Sequence, residues 1–329
     1  MPLKAVIVGA VESSRIAIES IARATRWSLE LVLTLPPELA HRHDDYVDLA
    51  TAAAQAGARL QFANDINSDE AIEAIRTVGA DYIFVIGWSQ ICGDRFRDAC
   101  KNHVIGFHPA PLPRLRGRAV IPWTILNAEP ISAGTLFWID EGVDTGPIIA
   151  QHFFHVADDE TATTLYSKQM IALAKVLDEA LPRLADGTAP HIVQDDRYAT
   201  WASKRTPADG IVDWSMPADD IERLIRAVSR PYAGASTFDG PARLALWSAN
   251  VLGGPGKHLA APGRIVAREE SAFTVMCGDG RQLRVTAFTS ETGRPPRLHS
   301  QLRSSPCVEP TQIRGAGDTA SDRGRLRHA

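Results

Sequence analysis

The order of hydrophobic patterns along this chain predicts a doubly wound, mostly parallel α/β sheet followed by a small β-barrel. Three observations carry that prediction. Short continuous apolar runs alternate with helix-period segments through the first half. A run such as Tyr82-Ile83-Phe84-Val85-Ile86 is apolar on both faces, as a strand covered from both sides must be. Many short strands broken by Gly and Pro then fill the region after residue 205.

The elements follow in order. Residues 5–9 are an apolar strand ending in glycine, and residues 13–24 carry helical spacing. Gly9 belongs to no GxGxxG sequence, so a dinucleotide fingerprint is absent. Residues 29–35 form a second strand, 46–56 a helix and 60–62 a short strand. Residues 68–78 make another helix, with Ser68 as N-cap and Asp69 and Glu70 favourable in its first turn. The strand over 81–87 comes next, and the crevice of such a sheet lies beyond the carboxyl ends of its strands.

From Val104 the chain makes a further strand that reaches His108. It then stops being sheet, because Pro109, Pro111 and Pro113 remove donors and fix φ. The stiff loop that results carries Arg114, Arg116 and Arg118, with Gly117 allowing close backbone approach. A short helix over 122–127 and a strand over 131–139 follow, and a turn bounded by Gly142 and Gly146 presents Asp144 before a strand at 148–154. Residues 161–184 are a long amphipathic helix with Pro182 near its end and Gly187 after it.

These patterns divide the chain into a unit over 1–187, a linker over 188–204, a barrel unit over 205–289 and a tail over 290–329. The barrel unit holds a helix at 218–228 and strands at 235–238, 244–247, 263–266, 273–276 and 283–285. Its ten Lys and Arg nearly balance nine Asp and Glu, which is no nucleic-acid footprint. The tail has seven arginines among polar residues and no apolar period, and is expected to be mostly disordered.

Composition bounds the function. The 329 residues carry a net charge of −4, and no long uncharged apolar run or leader pattern occurs. The four cysteines, at 92, 100, 277 and 307, lack CxxC spacing and His-rich company; they read as reduced thiols of a cytoplasmic protein and suggest no metal.

Two motifs carry chemistry: Gly106-Phe107-His108-Pro109-Ala110-Pro111-Leu112-Pro113-Arg114-Leu115-Arg116-Gly117-Arg118, and Asp140-Glu141-Gly142-Val143-Asp144-Thr145-Gly146. A histidine at a strand end and an aspartate in a later turn are what a proton-transfer site needs. Together they resemble the formyltransferase family that uses 10-formyltetrahydrofolate, over about residues 4–289. That family includes methionyl-tRNA, glycinamide ribonucleotide and sugar N-formyltransferases. Trp201 to Pro207, Val212-Asp213-Trp214 and Arg226 to Ala235 look like the carboxy-terminal barrel domain that some members share.

The resemblance implies a Rossmann-like first domain, an OB-like barrel and 10-formyltetrahydrofolate as cosubstrate. An amine attacks the formyl carbonyl, so the site must remove an ammonium proton and hold an oxyanion. His108 would relay the proton and donate to the oxygen, and Asp144 would fix its ring and tautomer. Gly87, Trp88, Ser89, Leu112, Arg114, Arg116, Gly117, Asp140 and Gly142 would face the folate or an acceptor phosphate.

One position departs from the family. Its usual motif is Asn-x-His, and Gly106 stands where the asparagine is expected. Losing a side-chain oxyanion donor costs roughly 3–4 kcal/mol. Asn102, about 13 Å back along the strand, cannot reach, so Gln90 on the neighbouring strand end is expected to supply the amide.

Pro122-Trp123, and Arg226-Ala227-Val228 followed by Pro231, look more like the sugar enzymes than the tRNA enzyme. The expected acceptor is therefore a small, nucleotide-linked amine. Methionyl-tRNA is the alternative, and a folate- or nucleotide-binding homologue without strong catalysis is the third reading; the resemblance also makes a homodimer plausible.

Overall fold

The computed structural model describes residues 1–42, 45–253 and 258–306. Its first sheet has seven strands: β1 (Leu3–Val8), β2 (Trp27–Thr34), β3 (Arg59–Phe62), β4 (Tyr82–Val85), β5 (Val104–His108), β7 (Ile131–Trp138) and β8 (Ile148–His155), in the order β3-β2-β1-β4-β5-β7-β8. Strands β1 to β5 run parallel, while β7 and β8 continue the sheet antiparallel. The two residues of β6 (Arg116–Gly117) lie outside this sheet and pair with β9 (Trp201–Ala202).

Helices α1 (Glu12–Arg23), α2 (Ala50–Gln55), α3 (Asp69–Val78), α4 (Asp94–Arg97), α5 (Val120–Leu126) and α6 (Ala162–Ala185) complete this unit. Ser68 caps α3 by accepting from the Ala71 N–H, as the sequence predicts. The helix expected from residue 46 begins only at Ala50. Residues 45–48 are drawn to the turn after β1, where Val47 N–H donates to the Ala10 carbonyl. In α6 the residues Leu165, Ala172, Leu173, Val176, Leu177, Ala180, Leu181 and Leu184 are buried, a stripe of helical period. Each large member of such a stripe stabilises the fold by about 2–5 kcal/mol against its truncation to alanine.

The second unit contains α7 (Ala218–Ala227), β10 (Ala235–Asp239), β11 (Ala242–Val251), β12 (Ile265–Arg268), β13 (Phe273–Met276), β14 (Gln282–Ser290) and β15 (Leu302–Arg303). The six strands form one curled antiparallel sheet in the order β12-β13-β14-β11-β10-β15. Its two ends meet: Ile265 N–H donates to the Ser300 carbonyl and Leu302 N–H to that of Gly263. Strand β15 corrects the expectation of a loose tail from residue 290, since Leu302 is buried in this core and pairs with β10. A two-residue strand has no period to read, and only pairing with a distant strand defines it. The remainder of that tail, 307–329, lies outside the described residues.

The two units share a core. Ile121, Ile125, Val156, Ala162 and Leu165 of the first pack with Val212, Trp214, Ile221 and Ile225 of the second. Arg226 reinforces the joint by donating to the Glu160 carbonyl at 2.6 Å. The stretch expected as a linker is also fastened down, with Ile192 and Ile148 exchanging two backbone hydrogen bonds. Among the described residues no helix is long and apolar enough to cross a membrane.

Candidate active site

A cleft of about 570 Å³ opens at the carboxyl ends of β4 and β5, beside the turn that follows β1. This is where the strand order of a doubly wound sheet reverses and leaves a crevice. His108 is the last residue of β5 and is 5% exposed. Its Nε2 lies 2.7 Å from the Leu115 carbonyl oxygen, which can only accept, so Nε2 carries the proton. The other ring nitrogen, Nδ1, stands 3.5 Å from Asp144 Oδ2.

Asp144 adopts left-handed backbone with φ 56°. Its Oδ2 accepts the Gly117 N–H at 2.8 Å, and its own carbonyl accepts from Gln194 Nε2 at 2.8 Å. Leu115 is also left-handed, at φ 57°. For a residue with a Cβ this conformation costs about 1–2 kcal/mol. Gly117, at φ 104°, could carry no side chain at all: a Cβ there would stand 2.4 Å from the Ala202 carbonyl oxygen. The arrangement brings an imidazole nitrogen and a carboxylate together at one cleft wall. The Leu115 carbonyl on Nε2 and the Asp144 carboxylate beside Nδ1 hold the ring from both sides.

Gly106 has no room for the missing asparagine. A Cβ on it would stand 2.8 Å from two ring atoms of Phe137, its cross-strand partner in β7. Gln90 lines the cleft, with its amide partly committed to neighbouring loops. Its Nε2 donates to the Asn64 carbonyl at 2.9 Å, and its Oε1 accepts from the Ile66 N–H and from Trp88 Nε1. Gln90 thus ties the loop after β4 to the loop after β3, and the second N–H of its amide is left for a ligand in the cleft.

Of the other expected residues, Gly87, Trp88, Ser89, Gly117, Asp140 and Gly142 line the cleft. Leu112, Arg114 and Arg116 do not. Leu112 is buried against Phe137 and Ile148. Arg114 forks onto both carboxylate oxygens of Glu129 at 2.6 and 2.7 Å. Arg116 is only 2% exposed; it donates to Gln194 Oε1 and Asp196 Oδ1, and its guanidinium lies over the Trp201 ring. A basic loop sequence cannot show which of its arginines turns inward.

Other cleft residues were not expected. Arg118 is exposed at the cleft and forms no ion pair among the described residues. Tyr166 of α6 donates to Asp45 Oδ2 at 2.6 Å, and Tyr232 arrives from the second unit. Burial, then the charge of Asp45, pushes the Tyr166 hydroxyl well above its ordinary range, so it stays a donor. Arg118 stood in the quoted motif, but the tyrosines carry no local signal and only the packing of the two units brings them here. Cys92 also lines the cleft, yet burial pushes its thiol up to about 12, which leaves it inert as a nucleophile near neutral pH.

Fold and site together place a histidine–carboxylate pair in the crevice of a doubly wound sheet. The formyl transferase family model matches residues 29–181, and the model of the formyl transferase C-terminal domain matches residues 204–306. The chain belongs to the family of folate-dependent formyltransferases. Three solved structures show the same fold at low sequence identity. WlaRD, a sugar 3N-formyltransferase solved with dTDP and 5-N-formyl-THF, is 17% identical with a TM-score of 0.62, over 87% of this chain and 98% of its own. An N-formyltransferase from Helicobacter canadensis, in complex with folinic acid and dTDP-3-aminofucose, is 17% identical with a TM-score of 0.60, over 86% and 99%. HypX from Aquifex aeolicus, in complex with tetrahydrofolic acid, is 18% identical with a TM-score of 0.62 over 88% of this chain, which spans only 45% of that protein's length.

Proposed function

We propose that the protein moves a formyl group from 10-formyltetrahydrofolate to a primary amine on a nucleotide-linked sugar or a similarly small metabolite. The observation that carries this reading is the pair His108 Nδ1 and Asp144 Oδ2, 3.5 Å apart at a cleft of about 570 Å³. That volume suits a small-molecule site. Membership of the formyltransferase family supports the reaction. The sugar enzymes of the same fold, one solved with dTDP and one with a dTDP-linked amino sugar, support the acceptor class.

The residues fit a folate. Val85, Phe137 and Ile139 give an apolar wall for a flat ring, and Ser89 and Asp140 put polar groups at its edge. Bound there, the folate supplies the formyl carbon that the amine attacks. Asp144 Oδ2 and His108 Nδ1 accept N–H groups of the amine, hold its nitrogen, and take the proton it loses as the new C–N bond forms. With Nε2–H committed to Leu115, only a protonated Nδ1 lets His108 donate to the developing oxyanion. Gly106 offers no side-chain donor, and the proton taken from the amine makes Nδ1 one. As the tetrahedral carbon collapses, the bond between the formyl carbon and N10 would break and that proton would pass from His108 to N10, so that tetrahydrofolate leaves neutral.

The test is to mix purified protein and 10-formyltetrahydrofolate with a panel of amino-sugar nucleotides or with charged initiator tRNA. Tetrahydrofolate formed only with a sugar nucleotide supports the reading. Release only with tRNA replaces the acceptor, and tight folate binding without turnover contradicts catalysis.

A further inference from the structure

The segment joining the two units touches both members of the His108–Asp144 pair through single intermediaries. Thr200 Oγ1 accepts the Leu115 N–H at 2.9 Å, and the Thr200 carbonyl accepts the Arg116 N–H at 2.8 Å. Leu115 in turn offers His108 Nε2 its carbonyl. Six residues earlier, Gln194 Nε2 donates to the carbonyls of Asp144 and Gly146 at 2.8 and 2.7 Å. Its Oε1 accepts from Arg116, a fully buried cation on the same loop as Leu115. Leu115 and Asp144, two of the left-handed residues at the site, are both gripped by this segment. Strained backbone of this kind persists only where its surroundings over-determine it.

We infer that the connector at 194–202 is a splint that sets the working geometry of the site: Thr200 fixes the His108 tautomer through Leu115, and Gln194 with Arg116 fixes Asp144. Thr200, Gln194 and Arg116 are positioning residues, since none of them lines the cleft. The connector continues into the second unit. Ala202 accepts the Arg118 N–H, and Trp123 Nε1 donates to the Ser203 carbonyl at 2.9 Å.

The inference rests on the proposed roles of His108 and Asp144, and a readout free of substrate separates the two. Thr200→Val removes the hydroxyl at constant shape, and Thr200→Ser keeps it. Gln194→Glu keeps the acceptor for Arg116 and removes both donors. The His108 ring nitrogens are followed by 15N NMR in the free full-length protein, beside kcat and KM for the folate. Wild type and Thr200→Ser should show the Nε2–H tautomer alone. Thr200→Val should show a mixture, with kcat lower by about tenfold to a hundredfold and KM unchanged. Gln194→Glu should lower kcat alike while leaving the tautomer in place. Wild-type kcat with an unmixed tautomer in Thr200→Val would overturn the splint, as would a parallel rise of KM in both variants. A mixed tautomer with undiminished turnover supports the splint and removes His108 from the chemistry.

Discussion

The ring of Phe137 stands 2.8 Å from where a Cβ on Gly106 would begin, and the two residues face each other across the β5–β7 pairing. One residue is absent as a side chain because the other occupies its space. The position where the resemblance calls for an asparagine is thus closed by packing.

Restoring the asparagine alone should therefore harm the protein. Gly106→Asn forces Phe137 to shift, and overpacking of this kind costs about 1–3 kcal/mol. Shrinking the partner should relieve it, so the cost in Gly106→Asn/Phe137→Leu should fall well below the sum of the single changes. Urea denaturation of the four proteins of this cycle reads the coupling. Additive costs would show that the two positions do not compete for the same volume.

Gln90→Ala separates a strut from an oxyanion donor. The substitution leaves Asn64, Ile66 and Trp88 each without the partner Gln90 now provides. Stability should drop by about 1–3 kcal/mol. KM for the folate should rise, and kcat at saturating folate should stay near wild type. A large fall in kcat with unchanged KM would return Gln90 to the chemistry.

Truncation tests where the second unit ends. A chain stopped after residue 306 keeps every contact described above, and its melting temperature should match that of the full chain. Stopping after residue 290 removes Leu302 and both backbone bonds that join the ends of the curled sheet. That shorter chain should melt well below the longer one. Equal melting temperatures would mean that β15 contributes nothing.

Glu160 makes the turn before α6 sensitive to acid. Burial works to raise its pKa, but hydrogen bonds from Lys168, from Thr164 and from the Ala157 N–H outweigh it and hold the carboxyl below its ordinary value. A depressed carboxyl adds stability that is present above its unfolded pKa of about 4.5 and lost as pH falls through the folded one. At pH 7, Glu160→Gln should be less stable than wild type by about 1.5–3 kcal/mol. The gap should close as the pH drops below about 4.5, as denaturation curves at the two pH values would show. A gap independent of pH would mean that the carboxylate form gains nothing in the fold.

The parts of this structure that were legible in the sequence are those set by local pattern. The run from Tyr82 to Ile86 is buried throughout, Ser68 caps its helix, and the prolines after His108 end β5 where the chemistry requires. What stayed hidden depends on partners far along the chain. Arg116 reads as a loop cation, and only Gln194, Asp196 and Trp201 make it a core residue. Gly106 reads as a lost donor until the β5–β7 register sets Phe137 against it. The grip of Thr200 on Leu115 joins residues 85 apart through backbone and a hydroxyl, which no periodicity records.

The central claim is that His108 and Asp144 together take the proton of the attacking amine. It is tested most directly by the rate of tetrahydrofolate formation from 10-formyltetrahydrofolate and an accepted amino-sugar nucleotide, in wild type, His108→Ala and Asp144→Asn. Asparagine at 144 can still accept the Gly117 N–H, so that variant should keep its melting temperature. Both variants should lose at least about a hundredfold in kcat while still binding the folate. A variant of either residue that turns over within a few-fold of wild type would contradict the claim.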